Sequence, residues 1–306
     1  MSLEMSSSAL GPLCAFCSSV TWAIGSTGYA QLSRQHSPFA INFSRALLAF
    51  PLFIVATLIS AGGISGALAQ YATLKGFHFG WLTLAMLASY GLGDVLFMSS
   101  TRSLGIPGAL AIASSYPLWV AIAGYIFLGE RLSGVQWMGL LVALSGIGIV
   151  ILSSTSQSHP MARKSLARGI LFAVLTSAFW SLHGYAVSRG GKDLSLPVGN
   201  TARMGAALLV CLGSGKFIDP RLKLVLPWKE FRRNFWLFVL EAFVGSCLFM
   251  YGMSHSPLAV GSTLSALAPV ISVPAAWIFG VEKFSIPRTF GVCLVVFGVS
   301  MLMSGF

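Results

Sequence analysis

Residues Tyr116 to Val150 read YPLWVAIAGYIFLGERLSGVQWMGLLVALSGIGIV, and the same order of features recurs near the C-terminus. An apolar helix opens at Tyr116-Pro117 and closes on Gly129-Glu130-Arg131. A second follows, with Gly139 and Gly146 one heptad apart. Pro269, Glu282, Gly291 and Gly298 stand 152 residues beyond Pro117, Glu130, Gly139 and Gly146, and Leu248-Phe249-Met250 stands at that distance from Leu96-Phe97-Met98. Earlier in the chain the offset is 158, pairing Trp22 with Trp180, Asn42 with Asn200 and Arg45 with Arg203. A loop between the second and third helices of each half absorbs the difference. A fixed long-range offset marks a duplicated unit.

The composition sets the solvent. Of the residues 56% are hydrophobic and 9% charged, against about 25% charged in a soluble domain. A spanning helix needs roughly 20 apolar residues to cross about 30 Å of hydrocarbon. Spans are expected at roughly 10–31, 39–60, 78–100, 107–128, 134–152, 167–188, 198–214, 235–254, 257–280 and 286–303. The expected fold is therefore an all-α membrane protein of ten transmembrane helices. Residues 1–152 form the first five-helix repeat, 153–166 the loop between repeats and 167–306 the second repeat. After five crossings the chain re-enters from the opposite side, so the second repeat is expected to be inverted. The N-terminal MSLEMSSS lacks the basic region of a cleavable signal, so the first apolar run is expected to be retained.

The net charge of +11 is not a nucleic-acid footprint, because most of it sits in loops. Loops after odd-numbered spans hold thirteen Lys and Arg residues, and those after even-numbered spans hold four. By the positive-inside rule the richer side is cytoplasmic, which puts both termini outside. The basic stretch Asp219 to Asn234 reads as a loop beside a span or as an amphipathic strip on headgroups. Cys14 and Cys17 form a C-x-x-C inside an apolar run with no His nearby, and read as packing residues. No metal site and no cofactor are expected.

Two five-helix units, each ending in a proline-bearing helix, a Gly-Glu-Arg-like turn and a glycine-bearing last helix, resemble the EamA-type transporters of the drug/metabolite transporter superfamily. The carriers are Pro117, Gly129-Glu130-Arg131-Leu132, the Trp22-Ala23-Ile24-Gly25 run, and the N-x-x-R of Asn42–Arg45 and Asn200–Arg203. The second copy departs from the pattern in Val281-Glu282-Lys283, which lacks the glycine, and in His183, where a small residue is usual. The resemblance covers essentially the whole chain. It implies ten helices, export of metabolites such as amino acids, and both termini in the cytoplasm, opposite to the loop charges.

Asp94 and Glu241 are anomalous, since each places a carboxylate within an apolar run, at a cost of a few kcal/mol or more. Their repeat-related positions hold Ser246 and Ser89. A carboxylate buried without a partner is held readily as the neutral acid, which suits a proton carrier. Tyr90, one α-helical turn before Asp94, is expected to hydrogen-bond it. The first helix presents Ser18, Trp22, Ser26 and Tyr29 at helical spacing, with Tyr29 read as an interfacial anchor. The sixth presents Thr176, Trp180 and His183. Trp22 and Trp180 offer flat apolar walls, while His183 is either a proton carrier or a packing histidine. Arg45 and Arg203 read as structural residues of the repeat, with backbone carbonyls or Glu130 and Glu282 as partners. The two glutamates themselves read as caps or anchors at helix ends. Pro117 and Pro269, with Pro107, Pro257 and Pro274, are expected to bend the fourth and ninth helices.

The substrate-binding set is thus Trp22, Ser26, Tyr90, Asp94, Trp180 and His183, and the coupling candidates are Asp94, Glu241 and His183. Gly91-Leu92-Gly93-Asp94 also matches the GxGD of intramembrane aspartyl proteases. That chemistry needs two carboxylates sharing one proton, and the other aspartates, Asp193 and Asp219, fall in loops. No catalytic residue is assigned. The expected function is a secondary transporter exporting small metabolites, amino acids first, by alternating access. The alternative is a facilitator or exchanger of anionic metabolites of the sugar-phosphate or nucleotide-sugar kind. Expected partners are the bilayer, a small-molecule substrate and protons, with no nucleic acid, in a monomer or homodimer. The expected location is a bacterial inner or plasma membrane.

Overall fold

The structure, a computed structural model, describes residues 7–153, 163–268, 270–271 and 286–303, and all regular structure among them is helical. The first half holds α1 (Ser7–Leu32), α2 (Pro38–Ser60) and the short α3 (Ile64–Tyr71). Then α4 (Gly76–Met86) runs through a π-helical turn, Leu87–Gly93, into α5 (Asp94–Ala113). It continues with α6 (Tyr116–Ala123), whose end Gly124–Leu128 is again π-helical, and α7 (Gly134–Leu152). The second half holds α8 (Arg163–Gly191), α9 (Leu196–Ile218), α10 (Trp228–Arg233) and α11 (Phe235–Phe238). A π-helical turn, Val239–Gly245, leads into α12 (Ser246–Ser254), followed by α13 (Leu258–Ser265) and α14 (Ile286–Met303).

Among the described residues, six stretches are long and apolar enough to cross a membrane: Ala9–Leu32, Pro38–Ser60, Gly76–Leu104, Ser165–Gly191, Leu196–Ile218 and Phe235–Ser254. The chain is an integral, multi-pass membrane protein. Shorter apolar helices lie at Tyr116–Phe127, Gly134–Ile149 and Thr289–Leu302.

The sequence offsets reappear in the backbone. Ser37 and Ser195, 158 residues apart, both adopt extended geometry, and each is followed by a helix with proline in its first turn. Proline's fixed φ and missing N–H suit that position. The π-helical turns Leu87–Gly93 and Val239–Gly245 lie 152 residues apart. So do the interruptions at Ser114–Ser115 and Ala266–Leu267. Pro117 explains the first interruption, because its ring nitrogen cannot donate to the carbonyl of Ala113 four residues back. Pro269, Pro274 and Glu282 lie outside the described residues.

One boundary differs from the sequence reading. A loop was expected between 100 and 107, yet helical bonding is continuous from Asp94 to Ala113. Gly105 and Pro107 weaken a helix without ending it. The break falls instead at Ser114–Ser115, inside the expected fourth span.

Helices α7 and α14 cross through their glycines. A Cβ on Gly139 would lie 2.6 Å from the carbonyl oxygen of Gly298, and one on Gly146 would lie 2.7 Å from that of Gly291. The earlier glycine of one helix therefore faces the later glycine of the other, and the two helices run antiparallel. Backbone-to-backbone approach of this kind is what small residues allow in apolar surroundings.

Hydrogen bonds between connecting segments respect parity. Arg102 donates to the Ser33 carbonyl, and Ser103 meets Ser165, joining the ends of the first, third and fifth expected spans. Ser195 donates to Gln70, and Glu130 accepts from the Leu258 N–H, joining ends that follow even-numbered spans. In the basic stretch, Leu224 and Leu226 are buried, and the Leu226 N–H donates to Ser44 Oγ. That stretch is anchored in the bundle and is not a free amphipathic strip, although Trp228 is exposed.

Candidate functional site

Arg45, two turns into α2, is almost completely buried. Its guanidinium bonds directly to Asp94 through Nη2, and through Nη1 to Glu241 Oε2 at 3.0 Å. Burying an ion costs several kcal/mol, and here two carboxylates from two other helices offset that cost. The rings of Tyr90 and Tyr29 lie 3.9 and 4.6 Å from its Cζ, so the cation also rests on π faces. Tyr29 donates to Glu241 Oε2 at 2.7 Å, and Trp180 donates from its indole N–H to Asp94 Oδ1 at 3.0 Å. Ser89 adds a longer bond to Asp94 Oδ1, 3.4 Å.

The π-helical turns place these groups. Both Ser89 and Tyr90 fall inside Leu87–Gly93, Asp94 is the first residue after it, and Glu241 lies within Val239–Gly245. A π turn loosens the ordinary i→i−4 ladder, and such turns are frequent at functional sites. Side chains take up carbonyls there: Asn42 Nδ2 donates to the Tyr90 carbonyl at 2.8 Å, and Thr176 to that of Gly93 at 3.3 Å. Gly93 is small because a Cβ there would meet the Trp180 ring at 2.8 Å.

The repeat mate of Arg45 has a different environment. Arg203 on α9 is equally buried, but its Nη1 donates to Asn200 Oδ1 at 2.8 Å and to the Ser246 carbonyl at 3.4 Å. The ring of Phe249 lies 5.9 Å from its Cζ. No carboxylate among the described residues pairs with it.

These groups surround an internal cavity of about 110 Å³. At roughly 30 Å³ per water in the liquid, that is space for about four waters. Both arginines, Asp94 and Glu241 line it, with Ser89 and Tyr90 from the first half and Ser246 and Phe249 from the second. Trp22, Trp180 and His183 form further walls, and Ser114, Tyr116, Ser265 and Ala266 reach it from the two interrupted segments. Trp22 and Trp180 meet edge to face at 5.6 Å, a favourable arrangement for paired rings.

Of the substrate-binding set, Trp22, Tyr90, Asp94, Trp180 and His183 thus share one cavity. Ser26 is buried and bonds its own helix at the Ala23 carbonyl; it does not line the cavity. Tyr29 is fully buried against Glu241 and is not an interfacial anchor. Nearness to a span end says nothing about which way a ring faces. Asp94 is not a lone carboxylate, because Arg45 faces it, and its aromatic hydrogen-bond donor is Trp180 rather than Tyr90. The π turn between Tyr90 and Asp94 breaks the α-helical spacing on which that expectation stood. His183 Nδ1 lies 2.9 Å from the Ala85 carbonyl, and its ring stacks on Phe249 at 5.1 Å.

Glu130 partners neither arginine. Its carboxylate receives the Leu258 N–H at 3.0 and 3.1 Å and so caps α13 of the other half. The contact is a helix-end cap made across the two halves. Asp94 and Glu241 are bound to one guanidinium, and two carboxylates so compensated have no reason to share the single proton a GxGD protease needs. Among the described residues no cluster of three metal-ligating groups occurs. Sequence reasoning underrated Arg45 and Tyr29 and missed Thr21 and Phe249, both of which line the cavity. The sequence sign for Phe249 was its place in the repeated Leu-Phe-Met.

A helical bundle with a charged cavity between its two halves is the architecture of a solute carrier rather than an enzyme. The sequence profile of the EamA-like transporter family matches residues 9–152 and 167–304, and the chain belongs to that family of membrane transporters for small solutes. It is similar to an uncharacterized transporter of Archaeoglobus fulgidus, with 23% identity over 95% of this chain and 97% of the relative. It is also similar to the uncharacterized inner membrane transporter YhbE of Escherichia coli K12, 26% identical over 58% of this chain and 53% of YhbE. A crystal structure sharing 18% identity superposes with a TM-score of 0.75 over 96% of this chain and 97% of its own, which is a likeness of fold.

Proposed function

We propose that the chain is a secondary transporter exporting small metabolites, with amino acids the leading class, by alternating access. The observation that carries the proposal is the cavity itself, walled by both halves and holding two cations and two carboxylates. Its size suits an amino acid better than a nucleotide sugar. Arg45 is already neutralised by Asp94 and Glu241, so a doubly charged phosphate would find one free cation among the described residues, which weighs against the anionic-metabolite alternative.

Ten spans in two inverted five-helix repeats form part of the proposal. Support comes from the antiparallel glycine crossing of α7 and α14, the paired π turns and the parity of the loop contacts. Interrupted helices lining a cavity are a common way for carriers to build a site near the bilayer mid-plane. Residues 1–152 and 167–306 are the rocking units, with 153–166 between them. Trp22, Tyr90, Trp180 and His183 wall the substrate, and Asp94 with Glu241 carries the coupling proton. Proton loading competes with Arg45: a carboxylate that takes a proton releases its hold on the guanidinium, and the bundle is freed to rearrange.

The test is counterflow. Proteoliposomes loaded with an unlabelled amino acid should draw in the same amino acid in labelled form, faster than vesicles without protein, for at least one member of a panel of the standard twenty. Counterflow for sugar phosphates and none for any amino acid would move the substrate to the alternative class.

A further inference from the structure

The duplication copied a buried cation but not its counter-ions. Arg45 and Arg203 are repeat mates, and the two carboxylates that hold Arg45 are Asp94 and Glu241. Their mates are Ser246 and Ser89. Arg203 accordingly meets a backbone carbonyl of Ser246 where Arg45 meets Asp94. Both bonds that Arg203 makes use Nη1, and its buried Nε has no partner among the described residues. The edge left without a hydrogen-bond partner among the described residues is the Nε–Nη2 edge, one of the two on which a guanidinium grips a carboxylate with parallel N–H···O bonds. An unmet buried donor on a charged group is costly, and an uncompensated cation in an apolar bundle is costlier. Arg45 also carries an unmet Nε, but its charge is answered twice over.

We infer that Arg203 is the docking residue for a single carboxylate of the transported solute, which completes in the second half the ion pair that Asp94 supplies in the first. Glu241 supplies the opposite pole. Its Oε2 takes both Tyr29 and Arg45, while its Oε1 accepts nothing from the described residues, and its side chain is partly open to the cavity. An ammonium group held there and a carboxylate on Arg203 define a zwitterion. The inference rests on the amino-acid reading for the ammonium pole and stands apart from it for the carboxylate.

The experiment measures thermal unfolding of the full-length purified protein in detergent, with leucine, serine and phenylalanine each tested beside its amide and its N-acetyl derivative. At least one amino acid should raise the unfolding temperature while its amide, which lacks the carboxylate, should not. Arg203→Gln should raise the concentration needed for half the shift about 10- to 100-fold, the scale of a lost charged hydrogen bond, and Arg203→Lys should retain part of the effect. If Arg203→Gln does not fold, Arg203→Lys and the acid–amide comparison on the unaltered protein decide. N-acetyl derivatives that stabilise through Arg203 while free amino acids do not would keep the carboxylate dock and discard the amino-acid substrate. An amide as effective as its acid, acids that bind Arg203→Gln as well as they bind the unaltered protein, or no Arg203-dependent effect of any acid, overturns the inference.

Discussion

Arg45 and Asp94, 49 residues apart in sequence and on neighbouring helices, form a direct ion pair in the interior of the bundle. Glu241 from the second half joins the same guanidinium, so one cation ties together three helices and both halves of the chain. A lone intramembrane carboxylate invites a simple proton-carrier role. A carboxylate already held by arginine must break that pair to load a proton, which links protonation to the packing of the helices.

The three groups should differ in what their loss costs. Arg45→Met leaves two buried carboxylates without a cation, and breaking a buried pair costs about 3–5 kcal/mol. Asp94→Asn leaves Glu241 on the guanidinium and should cost less. Thermal unfolding in detergent should rank Arg45→Met well below Asp94→Asn, and equal unfolding temperatures would refute the shared-cation arrangement.

The α7–α14 crossing makes a sharper stability prediction. Gly139→Ala and Gly146→Ala each drive a methyl into a backbone carbonyl under 3 Å away and should cost about 1–3 kcal/mol, as overpacking does. Gly148→Ala, with nothing within 4 Å of its Cβ, should be harmless. Similar unfolding temperatures for all three would mean that the helices do not cross at these glycines.

Glu130 gives a pH signature outside the spanning segments. Burial pushes its carboxyl above the ordinary 4.5, opposed by the Leu258 and Ala259 backbone N–H groups. A raised acid favours the protonated form when folded, so its contribution is fullest below pH 4.5 and is lost as pH rises through the raised value. The unfolding-temperature advantage of the unaltered protein over Glu130→Gln should therefore shrink from pH 4.5 upward. An advantage that is constant or grows with pH contradicts this.

Much of the fold was legible because spans and repeats are written locally: apolar runs of fixed length, a proline, a glycine heptad, a constant offset. The cavity was half legible. Trp22 and Trp180 could be paired by register, and Asp94 stood out against its apolar neighbours. What joins Asp94 to Arg45 and Glu241 is tertiary, spanning 49 and 196 residues, and no local pattern encodes it. The π turn was hidden too, and with it the true facing of Tyr90. A single extra residue in a helical turn leaves no reliable mark in composition.

Orientation is open to a direct assay. By the positive-inside rule, thirteen basic residues on one side against four on the other predict a cytoplasmic loop between the two halves. A cysteine at Gln157 should then resist a membrane-impermeant thiol reagent on intact cells and react after permeabilisation. Labelling on intact cells would reverse the topology and favour cytoplasmic termini.

The most direct measurement is accumulation of a labelled amino acid in proteoliposomes under an imposed pH gradient, for the unaltered protein and for Asp94→Asn. The account predicts transient accumulation above the external concentration, abolished by a protonophore. Asp94→Asn should lose accumulation yet keep counterflow, since the amide preserves the shape of the site but cannot titrate. No accumulation by the unaltered protein, or accumulation by Asp94→Asn equal to it, would contradict proton-coupled transport through this cavity.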